Sequence, residues 1–268
     1  MADREGSSRK DWFMFHFSSV KVLGEQSLVA APMGQGVLRK DKAEDWESIN
    51  NGLPGGTHVN RLYADQDQLT ACTNQGLFHL HNDVWEASGL VIGCYQYKQV
   101  GRMGIAATQY GLWSGLGGNW SQTAYPNSIV YDVLYLPQFI VLALDRGIAV
   151  YDRLTGAWME YSLGSAVISL AAYNGIVLGV TERGELLQGN KRGGFDKINF
   201  AGMFIFSIVT KGSNVFVCSD RGLYRLSTIH NQITLLSVKL GCPVTDMDSD
   251  GSSLYLATLF EGVQMIGQ

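Results

Sequence analysis

Two carboxylates and a guanidinium take the same place in a short apolar segment that recurs along the chain: Arg61 in VNRLY, Asp132 in VYDVL and Asp246 in VTDMD. His58 stands three residues ahead of Arg61. Carboxylates and cations crowded into a narrow space shift one another's pKa values, and groups tuned in that way suit acid/base chemistry. His58, Arg61, Asp132 and Asp246 are therefore the candidate catalytic set. Four other segments put Ser19, Cys94, Ser169 and Ser207 at this place, which completes a column of seven. One residue earlier stand Ser18, Asn60, Gly93, Tyr131, Ile168, Phe206 and Thr245. From these two columns Asn60, Cys94, Tyr131 and Phe206 join the candidate binding residues. Charge clusters are also often purely structural, so a water-filled passage with paired side chains stands beside the catalytic reading.

A second set lies in polar turns, at Gln35, Gln75, Tyr110, Arg146, Arg183, Arg221 and Glu261. In three successive copies the turn reads acid then arginine: Asp145–Arg146, Glu182–Arg183 and Asp220–Arg221. An arc of guanidinium groups would attract a carboxylate or phosphate. Tyr110, Arg146, Arg183, Arg221 and Glu261 are candidate binding residues on that ground, against the plainer reading of exposed hairpin tips that bridge one another. His79 and His81 alternate on a strand, about 7 Å apart on one face, with no third ligand in sight. No metal site and no cofactor are expected. Gly-x-Ser-x-Gly, Walker and dinucleotide motifs are absent, and GLGGNW at 115–120 lies between strands with no helix to receive a phosphate.

The elements that must position these groups are set by the repeat. One phrase, an apolar run followed by a polar turn, Gly and an apolar pair, appears seven times, as in LTACTNQGLF at 69–78 and VFVCSDRGLY at 215–224. Its glycines are Gly36, Gly76, Gly111, Gly147, Gly184, Gly222 and Gly262, at steps of 40, 35, 36, 37, 38 and 40 residues. That period is one four-stranded blade. A tight turn between the second and third strands explains the Gly, because a positive φ is cheap only without a Cβ. Nine to eleven residues later comes an aromatic column, Trp46, Trp85, Trp120, Trp158 and Phe195, weakening to Ile233, which suits the wedge that opens between blades as they splay from the axis.

The fold class is all-β: a seven-bladed β-propeller of four-stranded antiparallel blades, with the segment columns lining its central channel. The seventh copy ends without an outer strand. DWFMFHF at 11–17 is similar to DWESINN at 45–51, so residues 11–17 are expected to complete the last blade and close the ring. Residues 1–10 then form a tail and 11–268 a single domain.

GVLRKDKAEDWESINNGLP at 36–54 resembles the bacterial neuraminidase, or Asp-box, repeat, with Asp41 and Trp46 at the box Asp and Trp positions and Arg39 and Ala43 at the box Ser and Gly positions. Sialidases, sortilin-type receptors and photosystem assembly factors share such repeats, so the resemblance implies an architecture and leaves the chemistry open.

Of the 268 residues 46% are hydrophobic and 16% charged, with a formal net charge of −4 and no Lys/Arg run. The electrostatic term that dominates nucleic-acid affinity is missing, so no nucleic-acid partner is expected. No apolar run reaches the length of a membrane span, and Met1–Lys10 lacks the apolar core of a signal peptide. Four scattered cysteines without paired spacing fit a reducing compartment, and the expected location is cytoplasmic. These features together describe a ligand- or protein-binding module with one asymmetric site at the channel mouth, taking a small molecule or a protein. The alternative is a small-molecule lyase, cyclase or hydrolase with its acid/base groups at the same mouth. A lectin with seven equivalent sites is disfavoured by the differing turn residues.

Overall fold

The second strand of each repeat is the most apolar, and its runs (LVAAP, LTACT, GIAAT, IVLAL, IVLGV, VFVCS, LYLAT) are too short for helices and too continuous for a strand with one wet face. A strand buried on both faces is what such a run makes. The computed structural model, which describes residues 17–24, 27–41, 45–66, 68–230 and 232–267, has that arrangement in every repeat. Gln68–Thr73, Met103–Thr108 and Asn214–Ser219, for example, are buried over their last five residues. The fourth strands are polar to match, and Ala157–Ser162 is exposed along nearly its whole length.

Seven sheets follow in chain order, every strand antiparallel to its neighbour, and the described residues contain no helix. Six sheets have four strands; the last has three among the described residues, ending in Val263–Gly267. The seven are the blades of a β-propeller, numbered here 1 to 7. Their innermost strands are Phe17–Leu23, Val59–Asp65, Cys94–Val100, Val130–Tyr135, Val167–Tyr173, Ile205–Lys211 and Val244–Ser249. The ring is closed by packing of blade 7 on blade 1, through Val20, Ala30 and Ala257. Residues 1–16, which include the expected tail and most of the expected closing strand, lie outside the described residues. Phe17 itself pairs with Pro32 in blade 1.

The seven repeat glycines all have positive φ. At Gly147 and Gly222 a Cβ would lie 2.0 Å from the carbonyl oxygens of Tyr161 and Lys239 in the fourth strand, so the outer strand can pass close only because there is none. The aromatic column fills the spaces between blades as expected. Trp85 donates its indole N–H to Ile49 O (2.6 Å) and Trp120 to Ser88 O (3.0 Å), both in the blade before. Trp158 meets Tyr125, and Phe195 meets Tyr161, at 5.0 and 5.2 Å between ring centroids. In the segment 36–54 Asp41 accepts the Ser27 hydroxyl across the sheet; residues 42–44 lie outside the described residues.

Each innermost strand carries a β-bulge after its first residue, and the bulge fixes which side chains face the hub. Six of the seven predicted column residues, Ser19, Arg61, Asp132, Ser169, Ser207 and Asp246, follow it directly. Cys94 does not. In blade 3 Cys94 pairs with Thr108, as Val59 pairs with Thr73 and Val130 with Leu144, and the column position belongs to Gln96. The residue in the bulge is correspondingly Tyr95, not Gly93, and its ring lies 5.0 Å from that of Tyr131 in the next blade. The tryptophan column marks the true register: it runs 11 residues ahead of Gln96 and of Ser169, and 12 ahead of Asp132.

Candidate functional site: the central channel

Every innermost strand turns one edge toward the axis, where its amide N–H groups have no strand to bond, and a buried amide must find an acceptor elsewhere. The column side chains supply it from the neighbouring blade. Asp246 Oδ2 accepts from Val20 N (3.1 Å) and from the Ser19 hydroxyl (2.7 Å), while Ser19 Oγ accepts from Leu62 N (3.2 Å). Asp132 Oδ2 accepts from Leu170 N (2.8 Å), and its Oδ1 from Val133 N (2.8 Å) and Gln96 Nε2 (3.3 Å). Ser169 Oγ accepts from Ile208 N (3.2 Å), and Ser207 donates to Thr245 O (2.8 Å). Short residues carrying an oxygen recur in the column because they are clasps between blades. Arg61, a pure donor, is the exception.

Below this ring, toward the far ends of the innermost strands, the channel widens into a cavity of about 480 Å³. Four cations (Lys21, Arg61, Lys98 and Lys211) and three carboxylates (Asp132, Asp246 and Asp248) line it. Lys21 pairs with Asp246 at 2.7 Å and Lys211 with Asp248. Asp248 also accepts from Val22 N (2.9 Å) and Ser249 N (2.9 Å). All three carboxylates are 5% exposed or less and committed to donors of the framework. Burial pushes the Asp246 carboxyl up, but Lys21 and Arg61 outweigh it and hold the group below its ordinary range. Among the described residues neither the Arg61 nor the Lys98 side chain has a hydrogen-bond or ion-pair partner. Burial lowers the Lys98 ammonium pKa; Asp132 opposes that shift and Arg61 adds to it.

The cavity's lining is unevenly mixed across its width. Lys21, Arg61 and Lys98 come from blades 1, 2 and 3, beside Leu62, Tyr63 and Ala64, whereas most of the aliphatic lining, Leu134, Leu136, Leu170, Ala172, Ile208 and Val209, comes from blades 4, 5 and 6 on the other side of the ring, with Asp132 and Lys211 among it.

The remaining predicted residues lie at the opposite end of the strands. The turns between second and third strands sit beside the starts of the innermost strands, as shown by the bonds Asn74 N to His58 O (3.0 Å) and Asp220 N to Phe204 O (3.0 Å). Exposed His58, Tyr110, Arg146, Arg183, Arg221 and Glu261 are on this rim, with half-buried Asn60, Tyr131 and Phe206 just inside it. The expected grouping of His58 with Arg61, Asp132 and Asp246 is therefore not assembled: three residues of strand span about 10 Å and carry His58 to the other mouth. In two of the three acid–arginine turns the acid is a clasp as well. Glu182 and Asp220 accept the amides of Ala166 (3.4 Å) and Phe204 (2.9 Å), leaving the arginines in solvent. Asn60 donates to Cys94 O (2.7 Å). Cys94 is fully buried beside Cys72, whose thiol burial pushes well up, and its side chain is not among those that line the channel cavity.

The residues missed in the sequence were Gln96, Lys21, Lys98, Lys211 and Asp248. Three of them follow the column by two residues (Ser19–Lys21, Gln96–Lys98, Asp246–Asp248), the spacing that keeps side chains on one side of a strand. The misplaced register in blade 3 hid Lys98. His79 is half-buried against Tyr97 (centroids 5.9 Å) and bonds Thr70 Oγ1 (2.9 Å), a packing role between blades 2 and 3. Among the described residues no three His, Cys, Asp or Glu side chains come together as a metal-ligand set.

No protein-family model matches the chain, and no curated protein is similar to it in sequence. Solved structures resemble it in fold. The extracellular domain of BT4673 from B. thetaiotaomicron shares 15% identity with a TM-score of 0.74, over 94% of this chain and 38% of that one. The chain thus spans well under half the length of that relative. Virginiamycin B lyase from Staphylococcus aureus is 9% identical with a TM-score of 0.72, covering 94% of this chain and 95% of the lyase. U3-55K is 11% identical, with a TM-score of 0.71 over 95% and 96% of the two chains. At these identities the likeness is one of architecture, shared by proteins of unrelated activity.

Proposed function

We propose that the chain is a non-catalytic binding module that holds one small molecule in the central-channel cavity. The observation that carries this reading is the division of labour among the cavity's charges: all three carboxylates accept framework hydrogen bonds, while the side chains of two cations, Arg61 and Lys98, make no hydrogen bond or ion pair among the described residues. A general acid or base needs a free lone pair or a transferable proton within reach of substrate. Asp132 and Asp246 are almost fully buried and already accept hydrogen bonds from the framework, Asp246 through its Oδ2, and His58 is at the other mouth. The lyase, cyclase or hydrolase alternative is the weaker reading because its His58 does not stand with Arg61, Asp132 and Asp246, and the likeness to a lyase is one of fold.

The test is a small-molecule screen by ligand-observed NMR, followed by calorimetry on the parent and on Ala172→Trp, which puts an indole into the cavity from its apolar side. The expected result is a ligand bound at one per chain whose affinity falls at least roughly tenfold in the variant, the loss of a few well-made contacts. Ligands that bind the folded Ala172→Trp protein as well as the parent would place the site elsewhere, and turnover of any bound compound would restore the enzymatic reading.

A further inference from the structure

Arg61 and Lys98 enter one cavity from adjacent blades, and among the described residues neither side chain makes a hydrogen bond or ion pair, Asp246 and Asp132 acting on them only from a distance. Two like charges brought together out of bulk water repel each other and lose hydration, a net cost to the fold. The neighbouring pairs, Lys21 with Asp246 and Lys211 with Asp248, show that the same channel supplies a counter-charge where a cation has only a structural task. Facing Arg61 and Lys98 across the cavity is a wall of Leu134, Leu136, Ala172 and Val209. A polar end and an apolar end within about 480 Å³ are the dimensions and chemistry of a site for one amphiphilic molecule.

We infer that the ligand is a small anionic amphiphile, with a carboxylate or phosphate head held between Arg61 and Lys98 and an apolar body laid against Leu134, Leu136, Ala172 and Val209. This rests on the channel-binding reading above and adds its chemical class. Arg61 provides a planar fork matched to two oxygens of one head group, and Lys98 a point charge beside it. Asp132 is bonded to Leu170 N, Val133 N and Gln96 and makes no ion pair with Lys98 that a head group would have to break.

The experiment compares octanoate, octyl phosphate, octylamine and octanol by calorimetry on the full chain, its Arg61→Gln and Lys98→Gln variants, and Ala172→Trp. The two anions should bind one per chain, roughly tenfold or more tighter than the amine and the alcohol, and each charge-removing variant should erase most of that preference. Which of the two anions binds more tightly identifies the preferred head group. Octylamine or octanol binding as tightly as octanoate, with Ala172→Trp still blocking all of them, would overturn the anionic class while leaving the cavity reading in place. Octanoate binding that ignores both Arg61→Gln and Ala172→Trp would overturn both. A readout that needs no variant is reductive methylation of Lys98 followed by peptide mass analysis: octanoate should slow modification of Lys98 and leave that of exposed Lys191 unchanged. Equal modification of Lys98 with and without saturating octanoate would sink the proposal.

Discussion

Lys98 is costly to the fold in a way its neighbours are not. Its pKa is lowered from an ordinary 10.5 by burial, with Arg61 adding to the effect and Asp132 opposing it; the other charged groups of the cavity, Lys21, Lys211, Asp246 and Asp248, are paired among themselves. A lysine more acidic in the folded than in the unfolded chain lowers stability fully at pH values below its folded pKa. The penalty is relieved as pH rises from there to 10.5, where the unfolded chain also loses its proton. Lys98→Met should therefore stabilise the protein at pH 7, by about 1 kcal/mol or roughly 2–4 °C in Tm, and the difference from the parent should shrink toward pH 10.5. Thermal melts of both proteins across that range check it; a variant less stable than the parent at pH 7 would show that Lys98 has a partner in the fold. A substitution that gains stability and loses ligand is the signature of a residue kept for binding.

Among the elements, the innermost strands were legible in the sequence because their partners were: the apolar second strand, the turn and the glycine mark each blade independently. Arg61, Asp132 and Asp246 were rightly placed toward the axis by that register. What could not be read was the purpose of the column, since a short oxygen-bearing side chain looks the same whether it meets a substrate or the amide of the next strand. Cys94 was misplaced because GCYQYK offers two polar positions in phase with the repeat, and only the bulge chooses between them. The clasp reading makes its own prediction. Asp132→Ala leaves the amides of Leu170 and Val133 and the Gln96 side chain without their acceptor, and should cost about 2–3 kcal/mol, since buried donors without partners cost about 1–3 kcal/mol each and water relieves part of it. Asp132→Asn keeps one acceptor oxygen and should cost less. Urea unfolding measures both; equal stability of the alanine variant and the parent would return Asp132 to the list of functional acids.

At the scale of the whole ring, the seam between blades 7 and 1 joins parts of the chain more than 220 residues apart, and it is fastened differently from the others. Among the described residues its apolar cluster has three buried residues, Val20, Ala30 and Ala257, where that at the junction of blades 1 and 2 has ten. Polar clasps make up the difference: Ser19, Val20 and Lys21 all bond Asp246, and Val22 bonds Asp248. An interface that depends on a carboxylate is sensitive to acid. Because Asp246 is held below its ordinary 3.8, the stability it contributes is complete above that value and is lost as pH falls through the folded pKa. The ring should then loosen at this seam first, as a local opening ahead of global unfolding. Amide exchange followed by NMR should show the protection of Val20 falling below pH 3.8, while Ile208, clasped by the hydroxyl of Ser169 and not by a carboxylate, keeps its protection. Asp246→Asn should lower the protection of Val20 at neutral pH and remove most of its acid dependence. Uniform loss of protection around all seven blades would mean that the ring opens as one unit and that the seam is no weaker than the rest.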